Sequence, residues 1–373
     1  MTQRAESNEL TQANGHNGHD GGNGRNGRCT YGIGASDLLD GHIQPLSVLP
    51  EDGIRRPRWR GYTAFVLSGG GARGALQVGG LRALLEAGER PDVIVGTSIG
   101  AWNGAVLART PTLEGVDIIE RAWRRAHPTR VLLGTDPPLS SSSQALAGMR
   151  LLTAVRRLAG GQPSLYGDAG MRQFLAQLVG DTTFEDVPVP LRVIATDITH
   201  GTRAIFGSGP VAPAVLASSA IPGIFPPVRI GDSVYVDGGA LDNASIETAL
   251  RMGARRLFVL DVGYDEGGTG SWLWSEAQAE ETTRRRNLGM LAIAAVLERT
   301  TQVVSRYQLD RALKHIPRGV EAHVLRMGVS SGGALDFEKA GEWIDRGYAI
   351  TRDYLELASG QREQEPTEAV SAP

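Results

Sequence analysis

The pentapeptide Gly96-Thr-Ser98-Ile-Gly100 follows a short apolar run, Val93-Ile-Val95, and leads into the helical stretch Ala101 to Ala108. A serine on a sharp strand-to-helix turn is pushed out of the backbone, and the strained turn leaves no room for side chains two residues to either side. Gly96 and Gly100 meet that requirement, so Ser98 reads as a nucleophile. The helix behind it aims free N–H groups and a positive dipole end at any oxyanion formed there. The spacing alone is weak, because Gly328-Val-Ser330-Ser-Gly332 repeats it. There Gly333-Ala-Leu intervenes before the next helical stretch, and a flexible loop does not hold a strained elbow.

Gly69-Gly70-Gly71-Ala72-Arg73-Gly74 leaves the apolar run Thr63 to Leu67 and opens a helix reaching Ala87. One reading is a dinucleotide fingerprint, G-x-G-x-x-G, a pattern that Gly22, Gly24 and Gly27 also match. The next strand, however, ends in Gly96-Thr-Ser98 rather than in the acidic residue a ribose hydroxyl requires. The other reading is a loop whose N–H groups converge on a developing oxyanion. Arg73 in this loop either stabilises negative charge or forms a plain surface ion pair.

A serine nucleophile needs a base. Asp237 ends Val234-Tyr-Val236 and is followed by Gly238 and Gly239, which leaves its carboxylate at a sheet edge that backbone can approach; Asp20-Gly-Gly22 repeats the tripeptide. The seven histidines are His16, His19, His42, His127, His200, His315 and His323. None is placed as a triad histidine on a loop at the carboxyl edge of the sheet, although His200 and His315 stay open as bases.

The elements that must position these groups alternate strand, helix, strand, helix from Tyr62 to Ala108, which implies parallel pairing in an α/β sheet. Residues 109 to 190 read as mainly helical, with an amphipathic stretch from Leu113 to Arg125 and a Ser/Pro-rich break from Pro137 to Ser143. Strands resume at Leu191 to Ala195. Val228 to Ile230 and Val234 to Val236 form a hairpin across Gly231-Asp232, where glycine first suits a tight turn. Arg256 to Leu260 and Ala322 to Arg326 are further strands, separated by a long helix from roughly Glu276 to Leu313. Asp336 to Leu357 is the last helix.

In order and spacing, the glycine loop, the Ser98 elbow and Asp237-Gly238-Gly239 resemble the patatin-like phospholipases. A fourth block, Ala217-Ser-Ser-Ala-Ile-Pro222-Gly-Ile-Phe225-Pro-Pro227, is similar to that family's Ser/Pro segment. The resemblance spans Tyr62 to Ala244. It implies a three-layer α/β/α domain with a mostly parallel central sheet and a Ser98–Asp237 dyad without histidine. In that dyad Ser98 is the nucleophile and Asp237 the base. Gly69, Gly70, Gly71, Ala72, Arg73 and Gly74 would form the oxyanion hole, and Gly96, Gly100, Gly238 and Gly239 would support elbow and dyad. It further implies lipid or other acyl-ester substrates, chiefly phospholipids, lysophospholipids and neutral lipids, with no metal or other cofactor. Two positions depart from the pattern. Ser245 stands where a proline is usual, which bears on a loop, and Trp102 where a smaller aliphatic residue is more common, which bears on the pocket. The competing readings are a three-membered Ser-His-Asp esterase and a non-catalytic nucleotide- or lipid-binding module.

With a net charge of −3 over 373 residues, the chain has no signature of nucleic-acid binding. The lone Cys29 excludes an intramolecular disulfide and a cysteine-based zinc cluster. The longest apolar run, Leu288 to Leu297, is too short to span a bilayer. These features lead to the expectation of a soluble, cytoplasmic protein in a reducing compartment. Peripheral membrane contact stays open through the basic stretch Ile54 to Arg60 and through Trp272-Leu-Trp274. The expected organisation is a disordered Gly/Asn-rich tail and basic linker over 1–60, the hydrolase domain over 61–358 and a disordered tail over 359–373.

Overall fold

The structure, a computed structural model, describes residues 47–49, 61–126, 131–132, 152–263, 289–329 and 336–364. Outside the described residues lie the N-terminal stretch 1–46, the basic stretch from Ile54 to Arg60, His127, the Pro137 to Ser143 break and the Trp272-Leu-Trp274 pair. So do Ser330 and Gly332 of the second Gly-x-Ser-x-Gly copy, residues 276–288 of the expected long helix, and 365–373.

The strands are β1 (Ser47–Val48), β2 (Tyr62–Leu67), β3 (Val93–Thr97), β4 (Leu191–Asp197), β5 (Thr202–Ser208), β6 (Val228–Ile230), β7 (Ser233–Asp237), β8 (Ala254–Asp261) and β9 (Glu321–Arg326). The helices are α1 (Gly74–Glu86), α2 (Ile99–Arg109), α3 (Leu113–Arg125), α4 (Ala169–Leu178), α5 (Val211–Ser218), α6 (Ile246–Arg251), α7 (Gly289–Lys314) and α8 (Ala340–Gln364). The sheet order is β1-β5-β4-β3-β2-β8-β9. From β4 through β9 every neighbouring pair in that order is parallel.

The central strands are apolar on both faces, as parallel strands covered twice must be. Side chains alternate across a strand, so Phe65, Leu67, Ile94, Phe258 and Leu260 enter one core together with buried residues of α1, α2, α3, α5 and α8. Ala64, Val66, Val95, Leu257 and Val259 enter the other, with Ile246 and Ala249 of α6 and Leu309 of α7. The architecture is therefore three-layer α/β/α with a mostly parallel central sheet. Among the described residues no helix is long and apolar enough to cross a membrane.

Two expected boundaries move. Residues 47–49 fall in the stretch expected to be disordered, yet β1 pairs antiparallel with β5, and Leu49 N–H donates to the Ile205 carbonyl at 2.8 Å. The outer edge of β5 would otherwise present unpaired backbone groups, and this short segment takes them up. At the other end α8 runs to Gln364, past the expected limit at 358. Gln361, Arg362, Glu363 and Gln364 are good helix formers and carry the helix beyond Gly360.

Candidate active site

Sheet register brings the two chemically interesting strand ends together. β3 runs parallel to β4 and stops with Thr97 opposite Ile194. β7 runs antiparallel to the same edge of β4 and stops with Asp237 opposite Ala195. Because Ile194 and Ala195 are consecutive, β3 and β7 meet nearly end to end, and the residues at their termini, Ser98 and Asp237, become neighbours. Ser98 Oγ donates to Asp237 Oδ2 at 2.5 Å, and both residues are buried.

Ser98 has φ 53° and is the one non-glycine residue with positive φ among the described residues. Such a backbone conformation costs of order 1–3 kcal/mol and persists only where its surroundings hold it. Here the Ser98 N–H donates to Ser218 Oγ at 2.8 Å, and Ser218 Oγ in turn donates to the Ile194 carbonyl at 2.5 Å. A Cβ on Gly100 would run into the Leu67 carbonyl, and one on Gly96 into the Gly100 carbonyl and the Ala101 backbone. The elbow therefore admits glycine at both places. The Ile99 and Gly100 N–H groups, which open α2, have no partner among the described hydrogen bonds.

Asp237 is fixed on every side. Its N–H donates to the Ala220 carbonyl at 2.9 Å, and its carbonyl accepts from Thr196 Oγ1 at 3.0 Å. Oδ1 accepts the Gly239 N–H at 2.8 Å, which leaves Oδ2 for Ser98. Burial pushes the carboxyl up to about 6 against the opposing hydrogen bonds from Ser98 and Gly239. A carboxylate made more basic in this way is better suited to accept a serine proton.

The glycine loop narrows to fewer free donors than its sequence offers. Gly69 N–H goes to the Asn243 carbonyl at 3.2 Å, and Asn243 Nδ2 returns a bond to the Gly69 carbonyl at 3.2 Å. Arg73 N–H goes to the Gly70 carbonyl at 3.3 Å, and the Gly74 N–H points at the Gly71 and Ala72 carbonyls. The N–H groups of Gly70, Gly71 and Ala72 have no partner among the described hydrogen bonds. Of the expected set, Gly69, Arg73 and Gly74 thus serve the loop itself. Arg73 is buried rather than on the surface, and its Nε donates to the Gly70 carbonyl at 3.2 Å. Ser245, in place of the usual proline, donates to Asp242 Oδ2 at 2.5 Å just before α6.

An apolar cleft opens beside Ser98 and Gly71. Three helices each turn one stripe toward it: Ile99, Trp102 and Val106 from α2, Ile119, Ala122 and Trp123 from α3, and Met171, Phe174 and Leu178 from α4. The amphipathic pattern of Leu113 to Arg125 reflects a stripe that is part core, through Val116, and part cleft wall, through Ile119 and Trp123. A buried polar chain holds that wall to the glycine loop. Trp123 Nε1 donates to Asn103 Oδ1, Asn103 Nδ2 to Gln77 Oε1, and Gln77 Nε2 to the Ser68 carbonyl, at 3.0, 2.9 and 2.8 Å. α4, Ser218 and Ser219 had no assigned role in the sequence. The Ser-Ser pair before Ile-Pro was the visible signal.

The described histidines lie elsewhere. His200 bonds Asp197 and Ser233, His315 the Arg311 carbonyl, and His323 Tyr354 and Glu321. No described hydrogen bond joins any of them to Ser98 or Asp237. Among the described residues no cluster of His, Cys, Asp and Glu is arranged to hold a metal ion.

The family model for patatin-like phospholipases matches residues 65–250. The chain is 28% identical over 307 residues to patatin-like phospholipase domain-containing protein 7 of Mus musculus, covering 79% of this chain and 20% of that protein. It is also 28% identical over 309 residues to lysophospholipase nte1 of Aspergillus niger, covering 78% of this chain and 18% of that protein. The chain thus spans a fifth or less of the length of these relatives. Among solved structures, VipD from Legionella pneumophila aligns over 85% of this chain and 71% of its own, with 17% identity and a TM-score of 0.40. Human GIVD cytosolic phospholipase A2 aligns over 81% of this chain and 59% of its own, with 12% identity and a TM-score of 0.38.

Proposed function

We propose that this chain, which belongs to the patatin-like phospholipase family through residues 65–250, is a serine acyl hydrolase of the phospholipase A or lysophospholipase type, acting through a Ser98–Asp237 dyad. The observation that carries this reading is the 2.5 Å hydrogen bond from Ser98 Oγ to Asp237 Oδ2, with Ser98 lining an apolar cleft.

Asp237 Oδ2 takes the Ser98 proton as Oγ attacks the ester carbonyl. The oxyanion meets the free N–H groups of Gly70, Gly71 and Ala72 and the first-turn N–H groups of α2. Collapse of the tetrahedral centre breaks the ester C–O bond, and the proton held on Asp237 passes to the leaving alcohol or lysolipid. Water then gives a proton to Asp237 and its hydroxide equivalent to the acyl carbon; collapse breaks the acyl C–O bond to Ser98, releases the fatty acid and returns the proton from Asp237 to Ser98 Oγ. Nothing in these steps calls for a metal or cofactor. The substrate is a lipid presented singly or at a membrane surface, which fits a cytoplasmic protein in peripheral contact with the bilayer.

A fluorophosphonate probe followed by peptide mapping tests the reading. The expected result is label on Ser98, lost in Ser98→Ala, with release of fatty acid from a panel of lysophospholipids, phospholipids and short-chain esters. Folded protein that takes no label on Ser98 and hydrolyses none of the panel would overturn it.

A further inference from the structure

We infer that Trp102 sets the acyl-chain length the cleft accepts, and that Ser219 holds the indole in the position to do so. This rests on the acyl-hydrolase reading and adds a specificity-determining residue to it.

Ser98, Trp102 and Val106 follow one another at helical spacing of four along the stripe that borders the cleft. At about 1.5 Å of rise per residue, the indole stands about 6 Å and Val106 about 12 Å along the helix axis from the nucleophile. Phe174 of α4 also lines the cleft and packs against Trp102, with the ring centroids 5.5 Å apart. On this reading the cleft narrows at the ring pair, one helical turn from Ser98. Val106 and Leu178 also line the cleft, and on this reading they bound the space a longer chain enters once the indole gives way.

The indole is not free to give way. Its Nε1 donates to Ser219 Oγ at 2.7 Å, and Ser219 Oγ donates to the Val215 carbonyl at 2.8 Å. Swinging the ring aside would leave an N–H unsatisfied among apolar side chains. Ser219 also belongs to a three-residue bracket. Ser218 receives the Ser98 N–H, Ser219 the indole N–H, and the Ala220 carbonyl the Asp237 N–H. The pinch is thus held in register with both members of the dyad by one short segment. An acyl chain attached at Ser98 meets the ring at a fixed depth.

The test is kcat/KM for p-nitrophenyl butanoate, octanoate and palmitate on the full chain, with fluorophosphonate labelling of Ser98 run on every variant. Trp102→Ala should raise the palmitate-to-butanoate ratio about tenfold or more, within the range that added apolar contact supplies in a pocket. Trp102→Leu should move the ratio in the same direction by less. Ser219→Ala should also raise it, more weakly, because the ring is released rather than removed. If Trp102→Ala fails to fold, the other two variants decide. Ratios within about twofold of the unaltered protein in variants that still label at Ser98 overturn the inference and leave the hydrolase reading intact. Unaltered protein that neither labels nor hydrolyses defeats the hydrolase reading instead.

Discussion

Among the described residues two sets of side chains could be taken for a serine hydrolase site, and they differ in backbone strain, register and hydrogen-bond geometry. Ser233, His200 and Asp197 have the residue types of a triad, and Ser98 with Asp237 lacks the histidine. Yet Asp197 Oδ2 and Ser233 Oγ both approach the same His200 nitrogen, Nδ1, at 2.9 and 3.3 Å. A relay needs the acid on one ring nitrogen and the serine on the other. His200 is 63% exposed at its side chain, and Asp197 also accepts the Thr199 and His200 N–H groups at 2.8 and 3.2 Å. That is the pattern of an Asx turn closing the β4–β5 hairpin. Asp197 is as buried as Asp237, but Ser98 is buried where His200 is exposed; Ser98 and Asp237 also stand on strand ends that meet and include the one strained non-glycine residue among those described. Backbone strain and sheet register, more than residue type, separate the proposed dyad from the turn.

The largest expected effect sharpens that contrast. Ser98→Ala should abolish turnover, and Asp237→Asn should lower kcat/KM by about 10³-fold or more, as loss of the group paired with a nucleophile does elsewhere. Because Asp237 must be ionised to accept the proton and its carboxyl is pushed up to about 6, kcat/KM should fall below that pH along a single-proton limb. An acid limb near 4 instead would mean that Asp237 is less desolvated than its burial indicates.

The second effect is on stability, and it has opposite signs at the two places. Burial raises the Asp237 carboxyl from 3.8 to about 6, so the folded chain holds a proton that the unfolded chain has already released between those values. Stability therefore falls as pH rises through that window and stays lower above it, by up to about 3 kcal/mol. Asp237→Asn carries no such charge and should be more stable than the unaltered protein at pH 8, with the difference gone below about pH 4. At Asp197 burial also pushes upward, but the hydrogen bonds from His200, Ser233 and Thr199 outweigh it and hold the carboxyl below its usual range. Its contribution is present above the unfolded value and is lost as pH falls through the folded one. Asp197→Asn should accordingly be less stable at neutral pH, with the gap closing in acid. Urea midpoints across pH would read both signs.

Much of this was legible in the residues, and the part that was not has a physical reason. β2, β3 and β8 contain apolar runs bounded by glycine or polar turns, β9 alternates buried and less buried residues, and α1 and α2 carry uninterrupted helical periodicity. β5 is not legible in the sequence, because Thr202-Arg-Ala-Ile-Phe-Gly-Ser mixes two polar ends with a short apolar centre and has no clear alternation. Ser98 and Asp237 could be named from local context, but their meeting depends on β3 and β7 sharing one edge of β4, a pairing between residues far apart in the chain. For the same reason the Ser218, Ser219 and Ala220 bracket stayed without a role: each of its three contacts reaches a different element.

A smaller effect tests that bracket. Ser218→Ala removes the acceptor for the Ser98 N–H and the donor to the Ile194 carbonyl, leaving a buried N–H unsatisfied at a cost of about 1–3 kcal/mol. The elbow should loosen, with kcat down about tenfold and KM little changed, because the cleft wall is untouched. Ser218→Thr, which keeps the hydroxyl, should recover most of the rate. Equal loss in both variants would indicate that packing around the residue matters rather than its hydrogen bonds.

The smallest effect is the one on which the contrast between the two sites most directly depends. His200→Ala and Ser233→Ala alter an exposed turn, and hydrogen bonds at such a surface contribute little because water replaces them. Each should leave kcat/KM within about twofold of the unaltered protein and shift stability by no more than about 0.5 kcal/mol. The Thr199 and His200 N–H bonds to Asp197 use backbone donors and survive both changes, so the hairpin should keep its form. A hundredfold loss of activity in folded His200→Ala would mean that the imidazole moves into the site during turnover. The three-membered reading would then regain its standing, and static register would have misidentified the base.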